Sequence, residues 1–234
     1  MGRTVIVGDV HGCTGELEEL LEKVRFAEND ALVFVGDLVA RGPDSTGTLA
    51  LARRLRARVT RGNHEEKLLA WRSVGKPLGP EHERLAKTLS QEDWQMLEAM
   101  PLWLDLQEHG VRVVHAGVIP GLGIEVTPPE ALLKMRTLDD RGRWSDASDE
   151  GPLWGERYHG LPHVVFGHNA RANPQLHPWA TGIDTACVYG GRLTALVLED
   201  GEPMARGDSA RRLLKSVPAL RTYSRGSGTP LARN

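Results

Sequence analysis

The sequence predicts an α/β fold in which a sheet carries its chemistry at the carboxyl ends of the strands. Two observations predict it. Short β-branched apolar runs alternate with stretches of helical periodicity in the order β-α-β-α-β. Each of the first three runs then closes on a polar, glycine-containing turn.

Residues 3–8 (RTVIVG) form the first run and end on Gly8-Asp9, which suits a buried strand. Leu17, Leu20, Leu21 and Val24 recur at helical spacing over Thr14 to Val24, with Thr14 in the N-cap position. The second strand, Ala31 to Val35, ends on another Gly-Asp pair, Gly36-Asp37. Asp44 or Ser45 caps the next helix, whose Leu49, Ala52 and Leu55 keep the 3.6-residue period. A third strand, Ala57 to Thr60, runs into Arg61-Gly62-Asn63-His64, and a helical pattern resumes from Glu65 to Trp71. Residues 76–100 read as a helical insertion opened by Pro77 and Pro80. The second half is richer in strands, at 111–115, 163–166, 182–185 and 193–198, with a polar, turn-rich surface excursion over 137–152. We expect a catalytic domain over residues 1–206. Residues 207–234, rich in Arg, Ser, Gly and Pro, are expected to form a partly flexible C-terminal extension.

With 234 residues, 40% hydrophobic and 26% charged, the chain has the balance of a globular protein able to bury its own core. The 29 basic and 31 acidic side chains leave a net charge of −2, which argues against a dedicated nucleic-acid binder. A local basic pocket for a small anion is compatible with that balance. No run approaches the roughly 18 apolar residues of a membrane span, and the N-terminus carries no signal-peptide cleavage pattern. Two cysteines, Cys13 and Cys187, are too few for a disulfide framework and fit a reducing cytoplasm, where we expect the protein to reside.

Taken in order, the polar residues at the strand ends are Asp9 and His11, Asp37, Asn63 and His64, His115, and His168. Carboxylate, imidazole and amide groups form a mixed N/O donor set that suits Mn, Fe, Zn and similar divalent ions. Each follows an apolar run and neighbours a glycine that lets the backbone turn close to a ligand. One carboxylate, such as Asp37, can bridge two ions, and two ions clamp a phosphoryl group and activate a bridging water. Any one of these residues alone reads as a turn former or a core histidine. Five such turns in the same context do not. His82, His109, His159 and His163 lack that context and read as chemically silent, while His177 is left open.

The ordered series GDVHG, GDLVARGP, RGNHE, HAG and GHN resembles the calcineurin-like metallophosphoesterases, in the branch related to the phosphoprotein phosphatases, over residues 3–200. The resemblance implies a four-layer αββα sandwich of mixed sheets with helices outside and a dinuclear centre between the sheets. It also implies that Asp9, His11 and Asp37 hold one ion. Asp37, Asn63, His115 and His168 would hold the other, with His64 as the proton donor beside the scissile bond. Manganese is the first expectation for the two divalent ions, with cobalt, iron(II), zinc and magnesium as the others. The stretch 182–196 (GIDTACVYGGRLTAL) is similar to the last core strands of the family, which puts Cys187 in the core and not in a nucleophile's place.

One departure bears on substrate. The protein Ser/Thr phosphatases of this branch read GDxxDRG, and their second Asp pairs with the catalytic His; the matching position here is Ala40. GDLVARGP instead resembles the bacterial symmetrical diadenosine tetraphosphate hydrolases, which split the polyphosphate bridge into two ADP. ADP departs as a good anion, so a less supported general acid suffices, whereas a serine alkoxide needs the proton more. The resemblance thus implies a dinucleoside polyphosphate hydrolase acting through a metal-bridging hydroxide, on a small-molecule nucleotide rather than a nucleic acid or a membrane. A protein Ser/Thr or Tyr phosphatase is the alternative, with a phosphoprotein as its substrate. A metal- or nucleotide-binding module without catalysis leaves His64 unexplained. Arg41 is expected to fork onto phosphate oxygens. Arg136 and Arg157 are further substrate-binding candidates by similarity of context, against the reading of solvated surface arginines. Tyr189 is expected near the site, stacking or bonding there. Trp103, Trp144, Trp154 and Trp179 offer either an adenine-stacking face or core packing.

Overall fold

Strand β1 (Thr4–Val7) is buried on both faces, and its alternation sets the layers of the molecule. A computed structural model describes residues 2–148 and 150–225 of the chain. After β1 come α1 (Thr14–Lys23), β2 (Ala31–Phe34), α2 (Ser45–Arg54), β3 (Arg58–Val59) and α3 (Asn63–Val74). The insertion supplies α4 (Pro80–Ala86) and α5 (Gln91–Ala99). The remainder contributes β4 (Trp103–Leu106), β5 (Val111–Val114), α6 (Pro129–Lys134), β6 (Thr137–Leu138), β7 (Trp144–Ser145) and α7 (Trp154–Arg157). Then follow β8 (His163–Phe166), β9 (Gln175–Leu176), β10 (Ala180–Gly182), β11 (Arg192–Leu198) and β12 (Leu214–Pro218).

Two five-stranded mixed sheets result, in the orders β12-β11-β1-β2-β3 and β4-β5-β8-β10-β9, with β6 and β7 as a separate pair. Val5 and Val7, with Leu32 and Phe34, face the helices and pack on Leu17 and Leu20 of α1 and Leu49 of α2. Ile6, Val33, Val35 and Leu196 face the other way and meet Val111, Val113 and Val165 of the second sheet. On that sheet's far side Val114, Val164 and Phe166 pack on Leu132 of α6 and Trp154 of α7. The three apolar clusters thus separate four layers, αββα, as the sequence motifs implied.

Strands β1, β2 and β3 run parallel, as do β5, β8 and β10, so carboxyl ends gather on a common edge of each sheet. Asp44 caps α2 by accepting from Gly47 N at 2.8 Å. Thr14 does not cap α1. Its hydroxyl is engaged by the Asp44 carbonyl at 2.9 Å, and Cys13 stands at the cap without a side-chain bond. The strand expected over 182–185 ends at Gly182, because Asp184 folds back to accept Ala186 N at 3.0 Å in a tight turn. Five strands, β4, β6, β7, β9 and β12, lie outside the sequence expectations, and β6 and β7 fall within the turn-rich excursion. After residue 206 the chain forms a 3-10 segment (Gly207–Leu213) and then β12, paired with β11 over five positions. Of the extension expected to be partly flexible, 207–234, residues 226–234 lie outside the described residues. Among the described residues no helix is long and apolar enough to cross a membrane.

Candidate metal centre and active site

Five strand ends deliver the polar residues of the motifs to one place. Asp9 and His11 follow β1, Asp37 follows β2, Asn63 and His64 open α3 after β3, His115 follows β5 and His168 follows β8. Asp37 lies at the centre: its Oδ2 is 3.6 Å from His11 Nε2 and 3.4 Å from His115 Nε2, and its Oδ1 accepts His64 N at 2.9 Å. Asn63 Oδ1 lies 3.0 Å from His115 Nε2 and 2.9 Å from His168 Nδ1. Asp9 accepts the His168 backbone N–H at 3.0 and 3.2 Å, tying the first sheet to the second.

The backbone bends sharply to make this approach. His11, Asp37 and His168 have φ of 49°, 49° and 61°, and Ala40 and Arg41 lie at 67° and 69°. Non-glycine residues rarely hold the left-handed region, and such strain gathers at functional sites. Gly62 is required where it stands, since a Cβ there would overlap Asp37 Oδ1, and a Cβ at Gly167 would overlap Asp9 Oδ1.

His11 Nδ1 lies 3.1 Å from the Val39 carbonyl and His115 Nδ1 lies 3.0 Å from that of Val35. A carbonyl only accepts, so both Nδ1 atoms carry a proton, and Nε2 is the nitrogen each ring turns towards Asp37. With Nδ1 held in this way, Nε2 is the atom that would ligate a metal on giving up any proton it carries. The ligand atoms of His11, Asp37 and His64 all lie within 4.8 Å of one another, as do those of Asp37, His115 and His168. His64, rather than Asp9, therefore completes the first of these groups.

The charge balance has the same character. Burial, and then the neighbouring Asp184, push the Asp9 carboxyl well above its ordinary value. Burial would also raise Asp37, but His115, His64 and His11 hold it well below. His115 would be lowered by burial, yet the charge and hydrogen bond of Asp37 carry it up to about 10. Four buried carboxyl groups (Asp9, Asp37, Glu65 and Asp184) share this small volume, and no lysine or arginine ion-pairs with them among the described residues. A mixed N/O set with excess buried negative charge fits divalent cations.

Arg41 and Tyr189 reach the site together. Arg41 Nε donates to His64 Nε2 at 3.1 Å, and its guanidinium carbon lies 5.3 Å from the Tyr189 ring centroid. Arg136 stands at the rim, bonded at 3.1 Å to Asp146, whose carboxylate is 3.2 Å from His168 Nε2. Arg157 instead binds the Asp139 carbonyl and Asp140, both at 3.3 Å, and holds the surface excursion.

Four residues of the site were not singled out from sequence. His82 lacks the strand-end context of the motifs and reads as chemically silent in the sequence, yet its Nε2 lies 3.0 Å from His64 Nδ1. Glu65 receives the backbone N–H groups of Asp37, Val39 and Gly62 at 2.9, 3.2 and 2.9 Å, and burial followed by Asp37 pushes its carboxyl up to about 7. Asp146 comes from the excursion, which therefore touches the site. Asp184 comes from the 182–186 turn. Glu65 lies inside RGNHE and was within reach of the motif; no local signal marks the other three.

The calcineurin-like phosphoesterase family model matches residues 2–200. An asymmetrical bis(5'-nucleosyl)-tetraphosphatase of Oceanobacillus iheyensis is 31% identical, over 81% of this chain and 86% of that protein. A symmetrical bis(5'-nucleosyl)-tetraphosphatase of Shewanella baltica is 42% identical, over 74% of this chain and 76% of that protein. Among solved structures, one described as "a putative diadenosine tetraphosphatase" superimposes with a TM-score of 0.80 at 36% identity, covering 94% of both chains.

Proposed function

The chain belongs to the calcineurin-like phosphoesterase family, and from that premise we propose that it hydrolyses dinucleoside polyphosphates, cutting diadenosine tetraphosphate into two ADP. The observation that carries the reading is a single carboxylate, Asp37, shared by two buried donor groups, with His64 and Arg41 alongside. Asp9, His11 and Asp37 are the proposed ligands of one divalent ion, and Asp37, Asn63, His115 and His168 those of the other. Manganese is the ion proposed, with cobalt, iron(II), zinc or magnesium able to use the same donors. When bound, the ions supply an activated water and neutralise charge on the phosphoryl oxygens.

The protein's own side chains do the rest. Burial holds the free His64 imidazole well below its ordinary value, with Asp37 opposing, so it is neutral. Its Nε2 is occupied by the Arg41 N–H. A polyphosphate brings negative charge to this point. The Arg41 guanidinium then turns to fork onto phosphate oxygens, and the anion favours a protonated His64. His64 gives that proton to the departing phosphate oxygen, and ADP leaves. Tyr189 backs the Arg41 guanidinium through its ring face. Arg136 can turn from Asp146 to the outer phosphates; for Arg157, released from Asp140, a more distant contact is proposed. The substrate is a small nucleotide of the cytoplasm, consistent with two free buried thiols.

Product analysis tests the reading. With manganese added, diadenosine tetraphosphate is expected to yield two ADP. ATP plus AMP would overturn the symmetrical cut. A phosphopeptide turned over with a kcat/KM about tenfold higher, a transition-state preference of roughly 1.4 kcal/mol, would move the substrate to phosphoproteins.

A further inference from the structure

We propose that His82, in the first turn of α4, is a positioning residue for His64 and stands in for the carboxylate that position 40 lacks. The proposal rests on the reading of His64 as the substrate-side proton carrier. Ala40 offers only a methyl group to its surroundings, yet His64 Nδ1 is not left open: His82 Nε2 lies 3.0 Å away, with the ring centroids 4.9 Å apart and 27° between their planes. Both side chains are buried, His64 at 2% and His82 at 8% exposure.

Counting protons fixes the direction of the bond. Arg41 Nε can only donate, and it meets His64 Nε2 at 3.1 Å, so that nitrogen is the acceptor. The His64 proton therefore sits on Nδ1 and is given to His82 Nε2, whose own proton sits on its Nδ1. The chain Arg41, His64, His82 holds one tautomer and one ring plane, with Nε2 turned to Arg41 and to the phosphate that Arg41 would take. The residue before His82 acts on the same pair, since the Glu81 carboxylate accepts the Arg41 backbone N–H. Two adjacent residues of the insertion thus reach both groups that face substrate. Helix α4 is itself held in place, packed beside α3 with Leu85 and Ala86 in the apolar cluster that includes Leu68 of α3. A carboxylate supplied from the 37–42 loop would orient the imidazole with a charge. His82 orients it with a neutral acceptor, which suits a leaving group that needs less help.

Long-range proton–nitrogen NMR on the full chain, histidine-labelled and loaded with diamagnetic Mg2+, reads the pairing directly. Expected is a protonated Nδ1 on His64 hydrogen-bonded to an unprotonated Nε2 on His82, with that hydrogen bond, read from the His64 Nδ1 proton shift, lost in His82→Ala. In kinetics, His82→Ala should lower kcat for diadenosine tetraphosphate by about 10-fold or more, with KM held within about twofold. His82→Gln, whose Oε1 accepts the same proton, should recover kcat to within about threefold of the wild type. Unchanged kcat in His82→Ala, or no hydrogen bond between the two imidazoles in the wild type, would overturn the proposal. So would a rise in KM that His82→Gln does not repair, which would mark α4 as a structural support only. Should the wild type leave dinucleoside polyphosphates uncut, the substrate reading fails, while the NMR result still decides the role of His82.

Discussion

Asp37→Asn should yield a folded protein that holds neither ion and whose turnover falls by about 10³-fold or more. One oxygen of Asp37 accepts the His64 backbone N–H, and the other faces His11 and His115 at 3.6 and 3.4 Å. Asparagine keeps the shape and one acceptor, so the α3 N-terminus stays where it is. It removes the charge that both donor groups share and turns an N–H pair towards one of the lone pairs. Ion-assisted stabilisation of a phosphoryl transition state is worth several kcal/mol, and each 1.36 kcal/mol is tenfold in rate. Elemental analysis of the purified variant checks the cause and steady-state kinetics the effect. Two ions per chain in Asp37→Asn would contradict the ligand assignment.

His64→Ala is expected to retain its ions and lose about 10²–10⁴-fold in kcat, the range of a missing general acid. Retention follows because six of the seven convergent side chains remain, and the backbone N–H of residue 64 still reaches Asp37. The loss should grow as the leaving group becomes poorer: smallest for ADP, larger for an alkyl phosphate ester. Unchanged kcat on both substrates would remove His64 from the reaction. Its bonds to Arg41 and His82 would then be structural.

The proposed metal-binding side chains were legible in the sequence because each ends a strand. A buried apolar run that stops on a glycine and a polar residue has one place to put that residue, the carboxyl edge of the sheet. Asp9, Asp37 and His115 are read that way without any knowledge of the fold. His82 was not legible, because its bond to His64 joins an insertion helix to a strand-end turn and is purely tertiary. Arg157 shows the opposite case. Its sequence context resembled that of a substrate arginine, but the carbonyl of Asp139 and the carboxylate of Asp140 claim it locally. Strand β12 carries no strand signal in the sequence for a physical reason: an edge strand reading LKSVP carries a lysine and a proline, as exposed edges do. Thr14 had the right chemistry for a cap and the wrong neighbour, since the Asp44 carbonyl takes its hydroxyl.

The most direct measurement is anomalous diffraction at the manganese edge from crystals grown with Mn2+. Two peaks are predicted, one on either side of the Asp37 carboxylate, with His11 Nε2 nearest the first and His115 Nε2 nearest the second. Ordered protein with no peak between those imidazoles would contradict the centre, and with it the hydrolase built upon it.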